Sequence, residues 1–383
     1  MSNSFALEIK EEDILATLQQ FLKSLLALES VDAVLAPYHL PMKKTVMPSL
    51  ISDPELLDKA DPLAPAFPIN AAKLVSRLTR KPSGGKIAVV MKSCETRAFI
   101  ELVKLKQGYL EDLYIIGIDC LGAFSSTDYA DFAGEDGLHA TRQFVRTKLN
   151  GSEPAPPLPE FTSACRICEK PFPENADLAI GILGMEPGKL LIETGSQKGD
   201  QLAKELSLVD TIVSMGRKDA KIDLEKERIK ERDLVFEKTA EIVADVDKLS
   251  NYLADCVNCY NCRIACPVCY CKECVMLTDV FDYDPSLYLK WSEQKGIVKM
   301  PTDTVFYHLT RMSHMSLACV GCGQCTNACP NDIPLTELFR TVAHQTQQAF
   351  EYEAGRSLEE QQPLSFYREN EYEEVVGIKQ KGA

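Results

Sequence analysis

Eight of the 15 cysteines fall into two stretches with identical spacing. The stretches are CVNCYNCRIACP (256–267) and CVGCGQCTNACP (319–330). Both read C-x2-C-x2-C-x3-C-P, a spacing in which three thiolates hold one face of a 4Fe-4S cluster. The fourth thiolate, turned away by the proline, binds the neighbouring cluster. The spacing therefore predicts two clusters that lie close together and relay single electrons.

The ligand sets follow from this crossed arrangement. One cluster is predicted on Cys256, Cys259, Cys262 and Cys329, and the other on Cys319, Cys322, Cys325 and Cys266. Structural zinc is the alternative, because C-x2-C pairs also build tetrahedral thiolate sites. Zinc does not call for the third cysteine or the trailing proline, so we favour the clusters.

The composition of the chain limits the possible functions. With 383 residues, the chain is long enough for two or three domains. A net charge of -14 argues against a nucleic-acid binder. The absence of a long apolar stretch and the acidic N-terminus predict a cytoplasmic protein without a membrane span. Because the cytoplasm is reducing, the cysteines are expected to be metal ligands or reactive thiols and not disulfides.

The spacer between the two motifs carries apolar residues at helical spacing, among them Val305, Phe306, Leu309 and Met312. This part resembles the helical ferredoxin modules of heterodisulfide reductase and succinate dehydrogenase iron-sulfur subunits. For His308 and His314 we favour helix packing or surface exposure over metal ligation. The role of Cys269, Cys271 and Cys274 is left open, since three thiolates make an incomplete cluster site unless a partner chain supplies a fourth.

The N-terminal half alternates short apolar runs with amphipathic segments, which predicts an α/β domain with a largely parallel sheet. Residues 31–37, 86–92 and 112–119 are predicted strands, and 95–108 a helix ending at Gly108. Cys94 and Cys120 each follow a strand, at the edge where open α/β sheets bind ligands. With Cys165 and Cys168 from ACRICEKPF, they suggest a third cluster, against the alternative of free buried thiols.

Three stretches, KSCETRAFIEL, IGIDC and CRICEKPFPENADLAIGILG, carry a family resemblance. They are similar to the beta subunits of coenzyme F-420-reducing hydrogenase and formate dehydrogenase, with the formate dehydrogenase subunit closer. The resemblance implies a flavoprotein that carries FAD and exchanges electrons with coenzyme F-420. It also implies a third 4Fe-4S cluster on Cys94, Cys120, Cys165 and Cys168.

The predicted fold is an α/β flavoprotein-like N-terminal domain followed by a mainly helical two-cluster ferredoxin domain. The candidate flavin contacts are Gly84 and Gly85 in KPSGGK, where a plain turn is the alternative, and Gly181 and Gly184, which interrupt a strand-like run. The predicted segments are 1–150 and 151–215 for the two parts of the α/β domain, 216–250 for a charged, solvated helical linker, 251–345 for the two-cluster domain and 346–383 for an acidic tail. The tail either wraps a partner subunit or covers its own domain.

The leading hypothesis is an oxidoreductase subunit that links a two-electron carrier, coenzyme F-420 or a nicotinamide, to one-electron acceptors. No residue stands out as a catalytic acid, base or nucleophile. Substrate oxidation is therefore expected on another polypeptide, of the formate dehydrogenase alpha, hydrogenase or heterodisulfide reductase type. The alternative is a flavin-free electron-relay scaffold that wires two redox enzymes together.

Overall fold

The structure is a computed structural model that describes residues 3–41, 44–151, 157–363 and 365–366. Eight strands in the described residues form one sheet. They are β1 (Ser4–Glu8), β2 (Ala33–His39), β3 (Val46–Ile51), β4 (Ile87–Lys92), β5 (Leu113–Ile118), β6 (Leu178–Gly181), β7 (Lys189–Thr194) and β8 (Val209–Asp210).

The sheet is mixed, with strand order β3-β2-β4-β5-β6-β7-β1-β8. Its four central strands, β2, β4, β5 and β6, are parallel to their neighbours within this group. The strands outside them pair antiparallel. The prediction of a largely parallel sheet was therefore wrong outside the centre. β3 returns beside β2 as a hairpin, and β1 lies between β7 and β8 and is antiparallel to both.

The α-helices in the described residues are divided evenly, with seven before β8 and seven after it. They are α1 (Ile14–Leu26), α2 (Ala72–Thr79), α3 (Ser93–Lys104), α4 (Ser126–Ala133), α5 (Gly137–Asn150), α6 (Ser163–Arg166), α7 (Gln197–Glu205), α8 (Met215–Ile242), α9 (Val246–Tyr252), α10 (Asn261–Ala265), α11 (Pro285–Lys295), α12 (Thr304–Met315), α13 (Gln324–Asn327) and α14 (Leu335–Ala349). An α/β sheet domain followed by a helical, cysteine-rich region is thus confirmed.

The predicted helix 95–108 begins earlier and ends earlier than expected, at Lys104. Lys106 takes a positive φ of 57°, and the Gln107 amide donates to the Leu102 carbonyl, so the chain turns before Gly108. The three predicted strands overlap β2, β4 and β5. Every residue of β4 and β5 is buried, as the continuous apolar runs indicated.

Two hydrophobic cores cover the two faces of the sheet. On one face, Val34, Val90 and Ile116 pack with residues of α1 and α5. On the other face, Leu35 and Val89 belong to a core that includes α2 and α3 and continues into the helical cysteine-rich region. That region is therefore packed on one face of the sheet through a shared apolar core.

The segment after α14 packs on α3. The Tyr352 hydroxyl and the Gly355 amide both donate to the Glu101 carboxylate, at 2.6 and 2.7 Å, and the Arg97 side chain donates to the Ala354 carbonyl. The described part of the predicted tail therefore covers its own domain. The remainder, residue 364 and 367–383, lies outside the described residues.

Candidate iron-sulfur sites

One cavity at the carboxyl edge of the sheet, which we call the sheet-edge cavity, is lined by Cys322 and by all four candidate ligands of the third cluster. These four are Cys94, Cys120, Cys165 and Cys168. Cys94 lies in the first turn of α3 directly after β4, and Cys120 follows β5. Cys165 and Cys168 come from α6 and the turn after it. The sequence prediction that these four converge is consistent with this geometry.

Two further cavities lie in the helical region. The central cavity is lined by Cys266, Cys319, Cys322 and Cys325. The outer cavity is lined by Cys256, Cys259, Cys262 and Cys329, of which Cys259 is exposed. In each cavity, three cysteines of one motif meet the fourth cysteine of the other, which is the crossed grouping expected from the spacing.

The central and sheet-edge cavities share a wall. Gly321 and Cys322 line both of them. Gly321 and Gly323 have φ values of +72° and +77°, and a Cβ on Gly323 would lie 2.5 Å from the Ala164 Cβ. Glycine therefore lets the second motif turn and approach α6 closely.

Each of the three cavities brings together at least four thiols from separate turns of the chain. A tetrahedral zinc site would bring four thiolates around one ion. The two C-terminal motifs add a third closely spaced cysteine and a trailing proline, which zinc sites do not call for, so a 4Fe-4S cluster fits their donor sets better than zinc does.

Basic side chains surround the sheet-edge cavity. Lys92 and Arg228 line it, and the Arg228 guanidinium also contacts the Cys168 carbonyl at 3.5 Å. Lys92 Nζ donates to the carbonyls of Ala64 and Ala66. Burial raises the pKa of the Cys168 thiol to about 11. A thiol this buried is a poor reactive nucleophile but would ionise on binding a metal cluster, whose charge the nearby cations offset.

In the outer cavity, three side chains of α12 contact thiols. His308 Nε2 lies 3.4 Å from Cys256 Sγ, the Tyr307 hydroxyl lies 3.4 Å from Cys262 Sγ, and Arg311 Nη1 donates to Cys262 Sγ at 2.9 Å. Burial, followed by the nearby positive charge of Arg311, lowers the pKa of His308 to about 3, so its ring is neutral. His308 is thus buried by helix packing, as predicted, and His314 is exposed.

No sequence pattern marks these thiol contacts. Arg311 is five per cent exposed, and Arg217 and Arg228 of α8 are also buried. The charged stretch around α8 was expected to be a solvated helix, and for these two arginines that was wrong. Arg217 forms a bidentate ion pair with Asp119, and Arg228 reaches the sheet-edge cavity. The buried positions of α8 could not be recognised in the sequence, because charged residues lie all around the helix and no apolar face marks its buried side.

The four candidate flavin glycines do not come together. Gly84 and Gly85 precede β4, at the edge of the sheet opposite the cysteines. A Cβ on Gly85 would meet Asp32, and one on Gly181 would meet Arg217. Gly184 alone lines an open cleft. The described residues therefore give these glycines no common cradle.

That cleft lies at the carboxyl edge, where β1 and β6 both end. Its walls include Ile9, Ile182 and Gly184 after these strands and Val145 and Leu149 of α5. It encloses about 1620 Å³ of space not filled by atoms, part of it open to solvent. Its mixture of apolar walls and arginines is typical of sites for large charged ligands.

The three remaining cysteines line none of the three cavities. Cys269 is partly buried, and burial raises the pKa of its thiol to about 11. Lys73 of α2 donates to the carbonyls of Ile264 and Cys269, which ties this loop to the α/β domain. Cys271 is exposed.

Comparison with known proteins adds to this geometry. Residues 84–218 match the family model described as the C terminus of the coenzyme F420 hydrogenase/dehydrogenase beta subunit. The F420-dependent formate dehydrogenase subunit beta of Methanocaldococcus jannaschii is 30% identical over 344 residues, which are 84% of this chain and 86% of the relative. The chain belongs to the coenzyme F420 hydrogenase/dehydrogenase beta subunit family.

A second beta subunit, from F420-dependent formate dehydrogenase 1 of Methanococcus maripaludis, is 27% identical and covers 70% of this chain and 73% of the relative. A chain of the F420-reducing [NiFe] hydrogenase complex from Methanosarcina barkeri aligns with a TM-score of 0.46 at 14% identity, covering 64% of this chain and 94% of that one.

Membership of this beta subunit family makes the chain an oxidoreductase subunit, as predicted. The matched residues 84–218 contain the four cysteines of the sheet-edge cavity, whereas the two C-terminal motifs lie beyond them. Across the described residues, no helix of this beta subunit family member has the length and apolar character needed to cross a membrane.

Proposed function

We propose that the chain is an iron-sulfur and flavin electron-transfer subunit with three 4Fe-4S clusters. The observation that carries the proposal is that each of the three cavities is lined by its own four of the twelve cysteines, with Cys322 of the central set also lining the sheet-edge cavity. Four thiolates are the full ligand set of a 4Fe-4S cluster. When bound, the flavin would supply two-electron chemistry and the clusters would carry single electrons.

The proposed ligands are those predicted from the sequence. The sheet-edge cluster takes Cys94, Cys120, Cys165 and Cys168; the central cluster takes Cys266, Cys319, Cys322 and Cys325; the outer cluster takes Cys256, Cys259, Cys262 and Cys329. Cys262 is buried and Cys94 and Cys322 are partly buried, which limits the access of water to these sites, while the exposed Cys259 leaves the outer site nearest to solvent.

The cavities support one order for the relay. Cys322 lines both the sheet-edge and the central cavity. Arg311 lines the central cavity and donates to Cys262 of the outer one. The central site therefore lies between the other two, and electrons from the α/β domain would leave through the outer site.

The chain's own cations suit this role. Lys92 and Arg228 line the sheet-edge cavity, and Arg311 and Arg340 line the central one. A buried cluster carries net negative charge, which an apolar interior alone would not stabilise. These side chains would hold the clusters in place without ligating them.

We place the flavin in the cleft between α5 and the loop after β6. Arg142 is paired with Asp13 at 2.6 Å, whereas Arg146 is exposed and, within the described residues, makes no ion pair or hydrogen bond. A guanidinium of this kind suits the pyrophosphate of FAD. Lys148, on the same helix, lies 4.4 Å from the centre of the Phe161 ring, which packs against Gly122 just after Cys120.

The relatives named F420-dependent formate dehydrogenase support coenzyme F420 as the two-electron carrier, with a nicotinamide as the alternative. The partner would be another subunit of a redox complex, of the formate dehydrogenase, hydrogenase or heterodisulfide reductase type. We further propose a cytoplasmic location, where reducing conditions keep the cysteines available as ligands.

Analysis of anaerobically purified protein tests the proposal. Iron and acid-labile sulfide should each come to about twelve per chain, the content of three 4Fe-4S clusters. Flavin should be released on denaturation. Fully loaded clusters without flavin would instead support the flavin-free relay scaffold. Zinc in place of iron would exclude both functions.

A further inference from the structure

Arg311 of α12 occupies the space between the central and outer cavities. Its Nη1 donates to Cys262 Sγ at 2.9 Å and its Nη2 donates to the Cys262 carbonyl at 3.2 Å. The same side chain lines the central cavity together with Cys266 and Cys325. One guanidinium therefore touches a proposed ligand of one cluster and borders the site of the other.

The position of Arg311 is fixed by packing. Its guanidinium lies 4.6 Å from the centre of the Phe339 ring and 5.7 Å from that of Tyr307, one turn earlier in α12. Such cation–π contacts orient the planar group and limit its movement. The hydrogen bond to sulfur is consequently part of a rigid arrangement.

The charge of Arg311 lacks a carboxylate partner. The side chain is five per cent exposed, and no ion pair joins it to any Asp or Glu in the part of the chain that the structure describes. By contrast, Arg340, which lines the same cavity, is paired with Glu169. Because an unpaired buried cation is costly, a further source of negative charge is needed beside Arg311.

We propose that Arg311 is the shared counter-ion of the central and outer clusters and raises the reduction potential of both. This inference rests on the proposed function, since it requires clusters in these two cavities. A hydrogen bond to a ligand sulfur and a nearby positive charge both stabilise the more negative, reduced cluster. Loss of Arg311 should therefore make both clusters harder to reduce and leave the sheet-edge cluster unchanged.

The test is an EPR-monitored redox titration of the whole chain with Arg311→Gln, which keeps a hydrogen-bond donor but removes the charge. For both C-terminal clusters, the equilibrium constant for reduction should fall about tenfold, which corresponds to about 59 mV for one electron. The matched control is Arg263→Gln. Arg263 is the neighbour of Cys262 in sequence, but its guanidinium contacts the Cys271 carbonyl and no thiol of the three sets. In the Arg263→Gln protein, the reduction potentials of both C-terminal clusters should stay near those of the unchanged protein.

The outcomes separate this inference from the proposed function. If the unchanged protein lacks iron and sulfide, the proposed function is wrong. If clusters are present and the potentials in Arg311→Gln do not move, only the role of Arg311 is wrong.

If the Arg311→Gln protein fails to assemble clusters, the Arg311→Lys protein is compared with it. Lysine keeps the positive charge but cannot make both hydrogen bonds to Cys262. Clusters retained in Arg311→Lys but lost in Arg311→Gln support the proposal, because the positive charge is what distinguishes the two variants. Clusters lost in both variants show that Arg311 serves packing.

Discussion

Cys94 and Cys322 line the same cavity, although Cys94 follows a strand of the sheet and Cys322 belongs to the second C-terminal motif. Cys322 also lines the central cavity. The second motif thus brings its own proposed cluster site directly against that of the α/β domain. This contact would allow electrons to pass from the proposed sheet-edge cluster of the α/β domain to the proposed central cluster of the helical region.

Cys94→Ser should interrupt that path at its beginning. Iron should fall from about twelve to about eight per chain, because one of three clusters is lost. Electrons should no longer pass from flavin to a viologen dye, while the EPR signals of both C-terminal clusters persist. Cys271→Ser is the control, since this exposed thiol lines none of the three cavities and its loss should change neither measurement. Disappearance of the two C-terminal signals in Cys94→Ser would show that the ligand partition is wrong.

The crossed ligands give a second prediction. Cys266 belongs to the first motif but lines the central cavity with Cys322, and Cys329 belongs to the second motif but lines the outer cavity with Cys256. In EPR spectra, Cys266→Ser should therefore alter the same cluster signal as Cys322→Ser. Cys329→Ser should alter the same signal as Cys256→Ser. If Cys266→Ser and Cys256→Ser change one common signal, the two motifs each hold their own cluster and the crossed assignment is wrong.

The buried strands were predicted well from the sequence, because each is marked by a run of consecutive apolar residues within the strand itself. Continuous apolar runs marked β2, β4 and β5, and all three lie in the central, parallel part of the sheet. The antiparallel flanks were missed because pairing between β1 and β7 joins residues from the two ends of the domain. No short sequence pattern encodes a partner that far along the chain.

For the candidate sites, the spacing of the cysteines carried most of the information. Ligand types at fixed separations are a property of the sequence itself. The contacts of Arg311 and Arg228 were missed because they depend on where α12 and α8 pack. The proposed glycine contacts failed to converge for a similar reason, since Gly84 and Gly184 lie at opposite edges of one sheet.

Arg217→Met should destabilise the fold. Arg217 and Asp119 form a buried bidentate ion pair, and Asp119 also accepts from the backbone amides of Ile182 and Leu183. Removing the arginine leaves a buried carboxylate without its counter-charge, which costs about 3–5 kcal/mol in the free energy of unfolding. Urea unfolding of both proteins measures the loss.

The control for Arg217 is the exposed pair of Lys44 and Glu135, whose side chains are 52% and 92% exposed. Lys44→Met should cost less than about 1 kcal/mol, because solvent screens the pair. A loss in Arg217→Met no larger than that of the control would mean that the ion pair does not hold the loop after β6 against α8.

Arg146→Glu should weaken flavin binding without affecting the clusters. Arg146 is exposed on the cleft wall and makes no hydrogen bond or ion pair within the described ranges, so reversing its charge should leave folding intact. A carboxylate facing the pyrophosphate would replace attraction with repulsion. The affinity of the apoprotein for FAD, followed by quenching of flavin fluorescence, should fall by at least about tenfold, or about 1.4 kcal/mol.

Arg80→Glu makes the same charge change at a different edge of the sheet. Arg80 is exposed directly after α2, close in sequence to the turn with Gly84 that precedes β4. If the flavin lies in the cleft, this variant should bind FAD as the unchanged protein does. Equal weakening by both variants would indicate a general effect of net charge, and weakening by Arg80→Glu alone would move the flavin to the turn that contains Gly84 and Gly85.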